Sequence, residues 1–153
     1  MTKRAKGKNK VKFIYPTLDT FEQYVNLLIS IREYFSEDIP AFQTRYKGKL
    51  EAIIGQVSSN YFGVETYPDL LSKASYLFYA LIKNHPFSNG NKRIAALALY
   101  DFIKKNANEV YLDEQFILID IVDLSIDVSE SDPNDYQLIL KKIKRKIDKL
   151  ILA

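Results

Sequence analysis

Residues 85–93 read His85-Pro86-Phe87-Ser88-Asn89-Gly90-Asn91-Lys92-Arg93 and separate two strongly apolar stretches of this 153-residue chain. Apolar side chains recur at helical spacing over residues 67–84, where Tyr-Pro-Asp opens the pattern. They recur again over residues 91–106, where they cover nearly the whole circumference of a helix. The sequence therefore predicts two buried helices, the second of them central, joined by a short polar loop.

Working outward toward the amino terminus, apolar spacing predicts two further helices. The first begins at a capping box formed by Asp19 and Glu22, runs for about five turns and ends at residues 38–40, which read Asp-Ile-Pro. The second is shorter, covers about residues 44–54 and stops at Gly55.

Residues 56–66 have a different composition, with few apolar residues among serine, asparagine and glycine. Val57, Tyr61, Phe62 and Val64 are the apolar members, too few to form a core strand. This composition predicts an irregular β-hairpin or an extended flap between the second helix and the helix over residues 67–84.

Beyond residue 106, residues 114–126 are rich in isoleucine and predict a helix, although residues 116–121 could also form a strand. Asp132 and Pro133 are suitable N-cap and first residues for a last helix that runs to about residue 152. The predicted core-facing side chains of that helix are Leu138, Ile139, Ile143, Ile147 and Leu150. Together the patterns predict an all-α bundle of about six helices with a small β-hairpin flap, as one domain over residues 13–153.

Composition narrows the possible functions. The chain has no cysteine, which excludes disulfides, thiolate catalysis and cysteine-ligated zinc, and its single histidine, His85, excludes a multi-histidine metal site. No apolar run approaches the roughly 20 residues that cross a bilayer. The basic amino terminus lacks the apolar region of a signal peptide, so a cytoplasmic protein is expected, without a membrane partner.

The positive net charge is concentrated at one end. Residues 1–12 contain six basic and no acidic residues, so the remainder of a chain with net charge +3 is mildly acidic. We expect this leader to be disordered. It is also the part of the chain through which a nucleic acid could be bound.

The loop at residues 85–93 has the chemistry of a phosphate site. Gly90 permits a tight turn, and Asn91 begins a helix whose free amides and positive dipole end face the loop. Lys92 and Arg93 place two cations at that end, which costs roughly 0.3–1 kcal/mol each unless an anion is bound. His85 suits removal of a proton from an attacking hydroxyl, and Phe87 would anchor the loop in the core.

These residues resemble the signature of the Fic/Doc family, His-x-Phe-x-Asp/Glu-Gly-Asn-Gly/Lys-Arg. The defined positions that match are His85, Phe87, Gly90, Asn91, Lys92 and Arg93. The order of elements over residues 13–106 also resembles that family, whereas the carboxyl-terminal part resembles it only in helical character. The resemblance implies a Fic/Doc-like helical bundle with a flap.

The resemblance also implies roles for individual residues. His85 would be the general base, with Lys92 and Arg93 as the other catalytic groups. ATP would be the substrate, and its phosphates would be held by Asn89, Gly90, Asn91, Lys92 and Arg93. The flap would hold an extended segment of a target protein by strand addition. The flap residues assigned to this contact are Val57, Ser58, Tyr61 and Phe62.

Two positions specify the expected chemistry further. Lysine at the position of Lys92 is typical of Doc-like members, which implies transfer of the γ-phosphoryl group rather than of AMP. Asn89 stands where the family has the acidic residue that holds Mg²⁺, and a neutral amide is a weaker ligand for this cation. Either the nucleotide mainly holds the metal, or another acidic residue reaches it, or activity is reduced or lost.

The family's self-inhibitory motif requires a glutamate followed by glycine or asparagine, and this sequence has none. The inhibitory glutamate is therefore either supplied by a separate antitoxin protein, which is expected of a Doc-like toxin, or not used. The first hypothesis is a Doc-like transferase toxin that modifies a hydroxyl of a cytosolic target protein, such as a translation factor. The alternatives are a catalytically weak or inactive nucleotide- or protein-binding module, and a nucleic-acid-associated protein that uses the leader and the basic last helix.

Overall fold

The computed structural model describes residues 12–36, 38–107 and 114–150. Within these residues the chain forms α-helices and one small two-stranded sheet, which confirms the predicted all-α fold with a hairpin. The predicted leader falls almost entirely outside the described residues, so its disorder stays a prediction. The helices are α1 (Leu18–Ser30), α2 (Lys49–Val57), α3 (Leu70–Lys83), α4 (Asn91–Asn106), α5 (Glu114–Glu130) and α6 (Tyr136–Leu150).

Helix α3 lies at the centre of the bundle and contacts α2, α4, α5 and α6. It begins at Asp69, whose carboxylate accepts from the amide of Ser72, while the Ser72 hydroxyl accepts from the amide of Asp69. This reciprocal cap satisfies two amides that a helix start leaves without partners. The prediction of two buried helices around the loop is confirmed, but the central helix is α3 rather than α4.

Helix α1 begins and ends earlier than the sequence predicted. Its capping box is made by Thr17 and Thr20, whose hydroxyls accept from each other's amides, and not by Asp19 and Glu22. The helix ends at Ser30 and is followed by a single 3₁₀ turn, Arg32–Tyr34. The five-turn prediction was wrong because apolar spacing continues through this turn, where the backbone tightens.

Helix α2 begins later and ends later than predicted. A 3₁₀ turn, Phe42–Thr44, precedes it, and Gly48 in the left-handed conformation leads into Lys49. The helix continues through Gly55 to Val57. Gly55 does not end the helix because glycine weakens a helix by only about 0.5–1 kcal/mol, which packing against α3 overrides.

The predicted hairpin is present but shorter than residues 56–66. Strand β1 (Asn60–Tyr61) pairs antiparallel with β2 (Val64–Glu65), with Asn60 opposite Glu65 and Tyr61 opposite Val64. Phe62 and Gly63 form the two-residue turn, both with positive φ, 54° and 83°. A two-residue turn of this kind matches the twist of the strands it joins.

The carboxyl-terminal helices decide between helix and strand for residues 116–121 and correct the predicted core-facing side of α6. Residues 116–121 lie within α5, so they are helical and do not form a strand. Asp132 caps the 3₁₀ turn that leads into α6, as predicted. On α6, Leu138 is 65% exposed and does not face the core, whereas Leu140, which the prediction omitted, is 7% exposed. None of the described helices is long and apolar enough to cross a membrane.

Candidate active site

His85 follows the end of α3 directly and points into solvent. Asn84 caps the end of α3, where its backbone amide donates a hydrogen bond to the carbonyl of Ala80. The Lys49 ammonium donates to the Asn84 carbonyl at 3.1 Å. His85 itself has a φ of 48°, an unusual backbone conformation for a residue with a side chain. It is exposed, while Phe87 two residues later is fully buried. The loop thus turns sharply so that a histidine projects outward over an anchored phenylalanine.

The side chain of Asn91 holds this turn from inside. Its Oδ1 accepts from the amide of Phe87 at 3.0 Å, and its Nδ2 donates to the carbonyl of Phe87 at 2.8 Å. Asn91 is only 8% exposed, so both bonds are shielded from water. The sequence assigned Asn91 to phosphate binding; in the structure its amide is engaged by the loop backbone, so it shapes the site.

Asn91 also approaches the histidine ring, with Nδ2 of Asn91 3.5 Å from Nδ1 of His85. The two bonds to Phe87 identify that atom of Asn91 as the nitrogen, which can only donate. A hydrogen bond at this contact requires that Nδ1 of a neutral His85 lacks a hydrogen, which favours the tautomer with the hydrogen on Nε2. The distance is at the long limit of a hydrogen bond, so the orienting effect is modest.

Gly90 supplies the close approach that the loop requires. It has a φ of 76° and forms the N-cap of α4. A Cβ placed on it would lie 2.8 Å from Cδ1 of Ile39. Its amide is bonded to Oδ1 of Asn89 at 3.0 Å. Glycine is thus required here for both its conformation and its small size, as the sequence predicted for the turn.

The start of α4 has the electrostatics of an anion site. Unlike α1 and α3, which have capping boxes, α4 begins at a glycine that has no side chain with which to cap it. Lys92 is exposed in this first turn, and the guanidinium of Arg93 lies 4.2 Å from the centre of the Phe35 ring. Helix dipole and cations here repel each other until a negative group binds between them.

The described residues do not form a magnesium site of the usual kind. No group of three or more aspartate, glutamate, histidine or cysteine side chains among them is arranged to hold a metal ion. Asn89 offers one neutral oxygen, which already accepts from the Gly90 amide. Because Mg²⁺ in nucleotide sites is ordinarily held by at least one carboxylate, these residues fit it poorly.

Of the residues assigned to the flap, some lie exposed on the hairpin and others belong to α2 or the turn that follows it. Tyr61 and Phe62 lie on the hairpin and are 63% and 105% exposed. Ser58 is exposed just after α2, and its hydroxyl donates to the carbonyl of Gly55. Val57 is fully buried inside α2, so its assignment to the flap surface was wrong.

Residues distant in sequence brace the loop, and sequence reasoning missed them. The amide of Tyr46 donates to the carbonyl of Pro86 at 2.9 Å, and the Phe42 ring lies 6.3 Å from that of Phe87. Ile39 and Lys49 contact the loop at Gly90 and Asn84. The basic residues around Lys49 are visible in the sequence as a possible contribution to a phosphate site. The sequence does not indicate, however, that residues 39–49 pack on this loop.

The fold and this loop together define a class of protein: small helical domains in which a loop with an exposed histidine leads into the start of a buried helix. A model of the Fic/DOC family matches residues 9–103, most of the chain, and the chain belongs to that family. Toxin Doc of Mycolicibacterium smegmatis (strain ATCC 700084 / mc(2)155) is 34% identical over 71 residues, covering 46% of this chain and 55% of that protein. The chain thus spans about half the length of this curated relative.

Proposed function

We propose that this protein is a Doc-like toxin that transfers the γ-phosphoryl group of ATP to a hydroxyl of a cytosolic target protein. The family supports transfer of a phosphate or AMP group, and its similarity to Toxin Doc supports a toxin that is kept inactive by a separate antitoxin. The observation that carries the proposal is the loop of residues 85–90, which places an exposed histidine beside an uncapped helix start.

In the proposed reaction the chain's own residues bind, orient and move a proton. The first turn of α4, with Lys92 and Arg93, binds the phosphate oxygens and attracts the negative charge that grows on them. His85 takes the proton of the target hydroxyl through its unprotonated nitrogen. The hydroxyl oxygen then forms a bond to the γ-phosphorus, and the bond from that phosphorus to the β–γ bridging oxygen breaks, which releases ADP.

The hairpin supports the way in which a target is expected to bind. Its tip displays Tyr61, Phe62 and Val64, which are all more than half exposed. Within the described residues the sheet consists of these two strands alone, so their outer edges are available for pairing with an extended segment. The exposed apolar tip and the open strand edge together favour a hairpin that binds a peptide over one that has only a structural role.

The test is a labelling experiment with two forms of ATP. Purified protein is incubated with cell lysate and ATP labelled at the α- or the γ-phosphate, beside His85→Ala and the matched surface variant Gln137→Ala. We expect label from γ only, lost in His85→Ala and kept in Gln137→Ala. Label from α would show AMP transfer instead, and absence of any His85-dependent label would contradict the enzyme hypothesis. Lys92→Gly in the same assay tests whether the lysine selects the transferred group.

A catalytically weak binding module is the second candidate, and Asn89 is the observation that favours it. If the missing carboxylate limits the reaction, Asn89→Asp should raise the rate of His85-dependent labelling by about tenfold or more, because a charged ligand binds Mg²⁺ far better than an amide does. A titration of Mg²⁺ and Mn²⁺ against the rate measures the change in metal requirement. An equal rate and an equal requirement in both proteins would show that the nucleotide alone provides for the metal.

The toxin role is tested in cells. Expression of the wild-type chain is expected to arrest growth, and His85→Ala is expected to abolish the arrest. Co-expression of the product of a neighbouring gene should restore growth if that product is the antitoxin. Growth arrest that persists in His85→Ala would contradict a catalytic toxin.

A further inference from the structure

Lys73, in the first turn of α3, is a fully buried cation that the proposed reaction does not use. Its side chain has no exposed surface. Lysine is almost never fully buried unless it is paired, because removal of its charge from water is costly. The first turn of a helix is also an unfavourable place for a cation. A buried cation of this kind requires specific interaction partners. Those partners show which segments of the chain Lys73 holds together.

The partners of Lys73 come from three other segments of the chain. Its ammonium donates to Oε1 of Glu65 on strand β2 at 2.8 Å, and lies 3.4 Å from the carbonyl of Val57, the last residue of α2. It lies 4.9 Å and 5.4 Å from the ring centres of Phe13 and Tyr15. The ammonium thus sits where α2 ends, where the hairpin returns and where the amino-terminal segment crosses α3.

Among the residues that the structure describes, the hairpin makes few other contacts with the helices. Its strands are two residues long, and an isolated two-stranded hairpin is at best marginally stable in water. At its base the amide of Thr66 donates to the carbonyl of Ser59, and the hydroxyls of these two residues are 2.9 Å apart. These bonds close the hairpin on itself. The Glu65 carboxylate also connects the hairpin to the interior, because it accepts a hydrogen bond from the buried Lys73 ammonium.

We propose that Lys73 is a positioning residue, whose ion pair with Glu65 sets the direction in which the hairpin projects from the body of the protein. The role in target binding rests on the proposed function, in which the hairpin receives the target segment. The described contacts of the Lys73 ammonium are with α2, β2 and the amino-terminal segment, and not with the loop at residues 85–90. It acts through Glu65, which is part of β2 and directly follows the exposed Val64.

The charge state of Lys73 agrees with this arrangement. Burial lowers its pKa, but the hydrogen bond to Glu65 and the interactions with Tyr15 outweigh burial, so the pKa lies above its ordinary value. The lysine is therefore charged, and loss of the Glu65 charge would leave it buried without a counter-ion. A neutral lysine would form no ion pair with Glu65 and would hold the hairpin less strongly.

Because the chain has no cysteine, the direction of the hairpin can be measured directly with two introduced labels. Spin labels are attached to Phe62→Cys at the hairpin tip and to Lys141→Cys on the exposed side of α6. The distance between the two labels is measured by pulsed electron paramagnetic resonance. We expect one narrow distance distribution in this parent protein. Glu65→Gln and Lys73→Met should each replace it with a broad or displaced one. Amide exchange at Thr66 should become about tenfold faster, whereas amides within α4 should not change.

A matched control is provided by Asp127, which pairs with Lys142 at the same distance, 2.8 Å, between α5 and α6. Asp127→Asn should change neither the distance distribution nor the exchange at Thr66. An unchanged distribution in both Glu65→Gln and Lys73→Met would overturn the proposal. Equally faster exchange across α4 would also overturn it, since Lys73 would then only stabilise the whole fold.

The double variant Lys73→Met/Glu65→Gln separates positioning from stability. Removal of both charges should restore much of the thermal stability lost in Glu65→Gln, because no buried charge is left unpaired. The label distribution should stay broad, since nothing then ties β2 to α3. A narrow distribution in the double variant would show that the ion pair does not set the direction of the hairpin.

The consequence for the target is measured in the labelling assay with γ-labelled ATP. The lysate concentration that gives half-maximal labelling should rise about fivefold in Glu65→Gln, with the plateau rate unchanged, because target binding and not the chemical step is weakened. A loosened hairpin with an unchanged half-maximal concentration would overturn the role in target binding. If the wild-type protein itself gives no label, the proposed function fails, while the distance measurement still decides whether Lys73 positions the hairpin.

Discussion

At the scale of single residues, one side chain holds the loop through two hydrogen bonds to its backbone. Asn91 reproduces, for the amide and the carbonyl of Phe87, the pair of bonds that a neighbouring strand would provide. The fixed orientation of that amide then determines which atom faces His85. A residue that the sequence indicated as a phosphate ligand thereby also contacts the proposed base and modestly favours one of its tautomers.

We predict that neutral His85 carries its hydrogen on Nε2. The unprotonated nitrogen that takes the proton of the target hydroxyl is then Nδ1, and transfer to Nε2 instead requires exchange of the tautomer first. Because His85 is the single histidine of the chain, long-range proton–nitrogen correlation spectra of the ring can be assigned to it directly. Asn91→Asp should shift the population toward the tautomer with hydrogen on Nδ1, since a carboxylate accepts. A wild-type spectrum with the hydrogen on Nδ1 would contradict the assignment.

Two glycines should respond to alanine substitution with opposite signs. Gly90→Ala should lower the free energy of unfolding by about 1–2 kcal/mol, because its positive φ strains any side chain and its Cβ meets Ile39. Gly55→Ala should raise it by about 0.5–1 kcal/mol, since Gly55 lies within a helix with open space around it. Urea denaturation measures both. Effects of the same sign would show that conformation does not dominate at one of the two sites.

At the scale of elements, apolar spacing predicted where helices lie better than where they end or which way they face. At 3.6 residues per turn, Leu140, Ile143 and Ile147 lie on one face of α6, whereas Leu138 lies on the opposite side. The sequence prediction placed Ile143 and Ile147 correctly but took Leu138 in place of Leu140. The packing of α6 on α3 selects the face that contains Leu140.

This selection predicts unequal effects for two similar substitutions on α6. Leu140→Ala should lower the free energy of unfolding by about 2–5 kcal/mol, because it removes a buried side chain and leaves a cavity. Leu138→Ala should change it by less than about 0.5 kcal/mol, as is usual for an exposed position. The two variants have the same composition, so differential scanning calorimetry compares position alone. Comparable losses would place Leu138 in the core.

At the scale of the whole molecule, tyrosines join the segment after the hairpin to α3 and α6. The hydroxyls of Tyr67 and Tyr136 are 2.8 Å apart, and the rings of Tyr67 and Tyr76 stack with centres 4.5 Å apart. Burial and the neighbouring Tyr67 raise the pKa of Tyr76 to about 12. Burial and the hydrogen bond to Tyr67 raise the pKa of Tyr136 well above its ordinary value.

These shifts predict a loss of stability at alkaline pH. Above pH 10, the ordinary pKa of tyrosine, the unfolded chain releases protons that the native chain retains, so the free energy of unfolding falls as the pH rises. Tyr136→Phe should cost about 1 kcal/mol at pH 7 through the lost hydrogen bond and should make the alkaline loss shallower. Urea denaturation at several pH values measures both effects. An equally steep alkaline loss in Tyr136→Phe would show that other groups cause it.

Much of the fold could be predicted because it depends on local signals. The start of α3 at Asp69 and both ends of α4 follow from a cap, a glycine and strict helical spacing. The ends of α1 and α2 could not be predicted in the same way. Thr17 and Thr20 compete with Asp19 for the cap within one turn, and Gly55 breaks a helix only when tertiary packing does not compensate.

The sequence by itself determined that this is a small helical domain with one histidine on a glycine-containing loop, because periodicity and residue chemistry act over a few positions. It also carried the Fic/Doc signature that places the chain in its family. Only the tertiary structure decided that Asn91 shapes the loop, that residues 39–49 brace it and that Lys73 reaches Glu65 from the interior. Each of these contacts joins groups that meet only when the helices pack, and a buried charge or amide finds its partner by proximity in space and not along the chain.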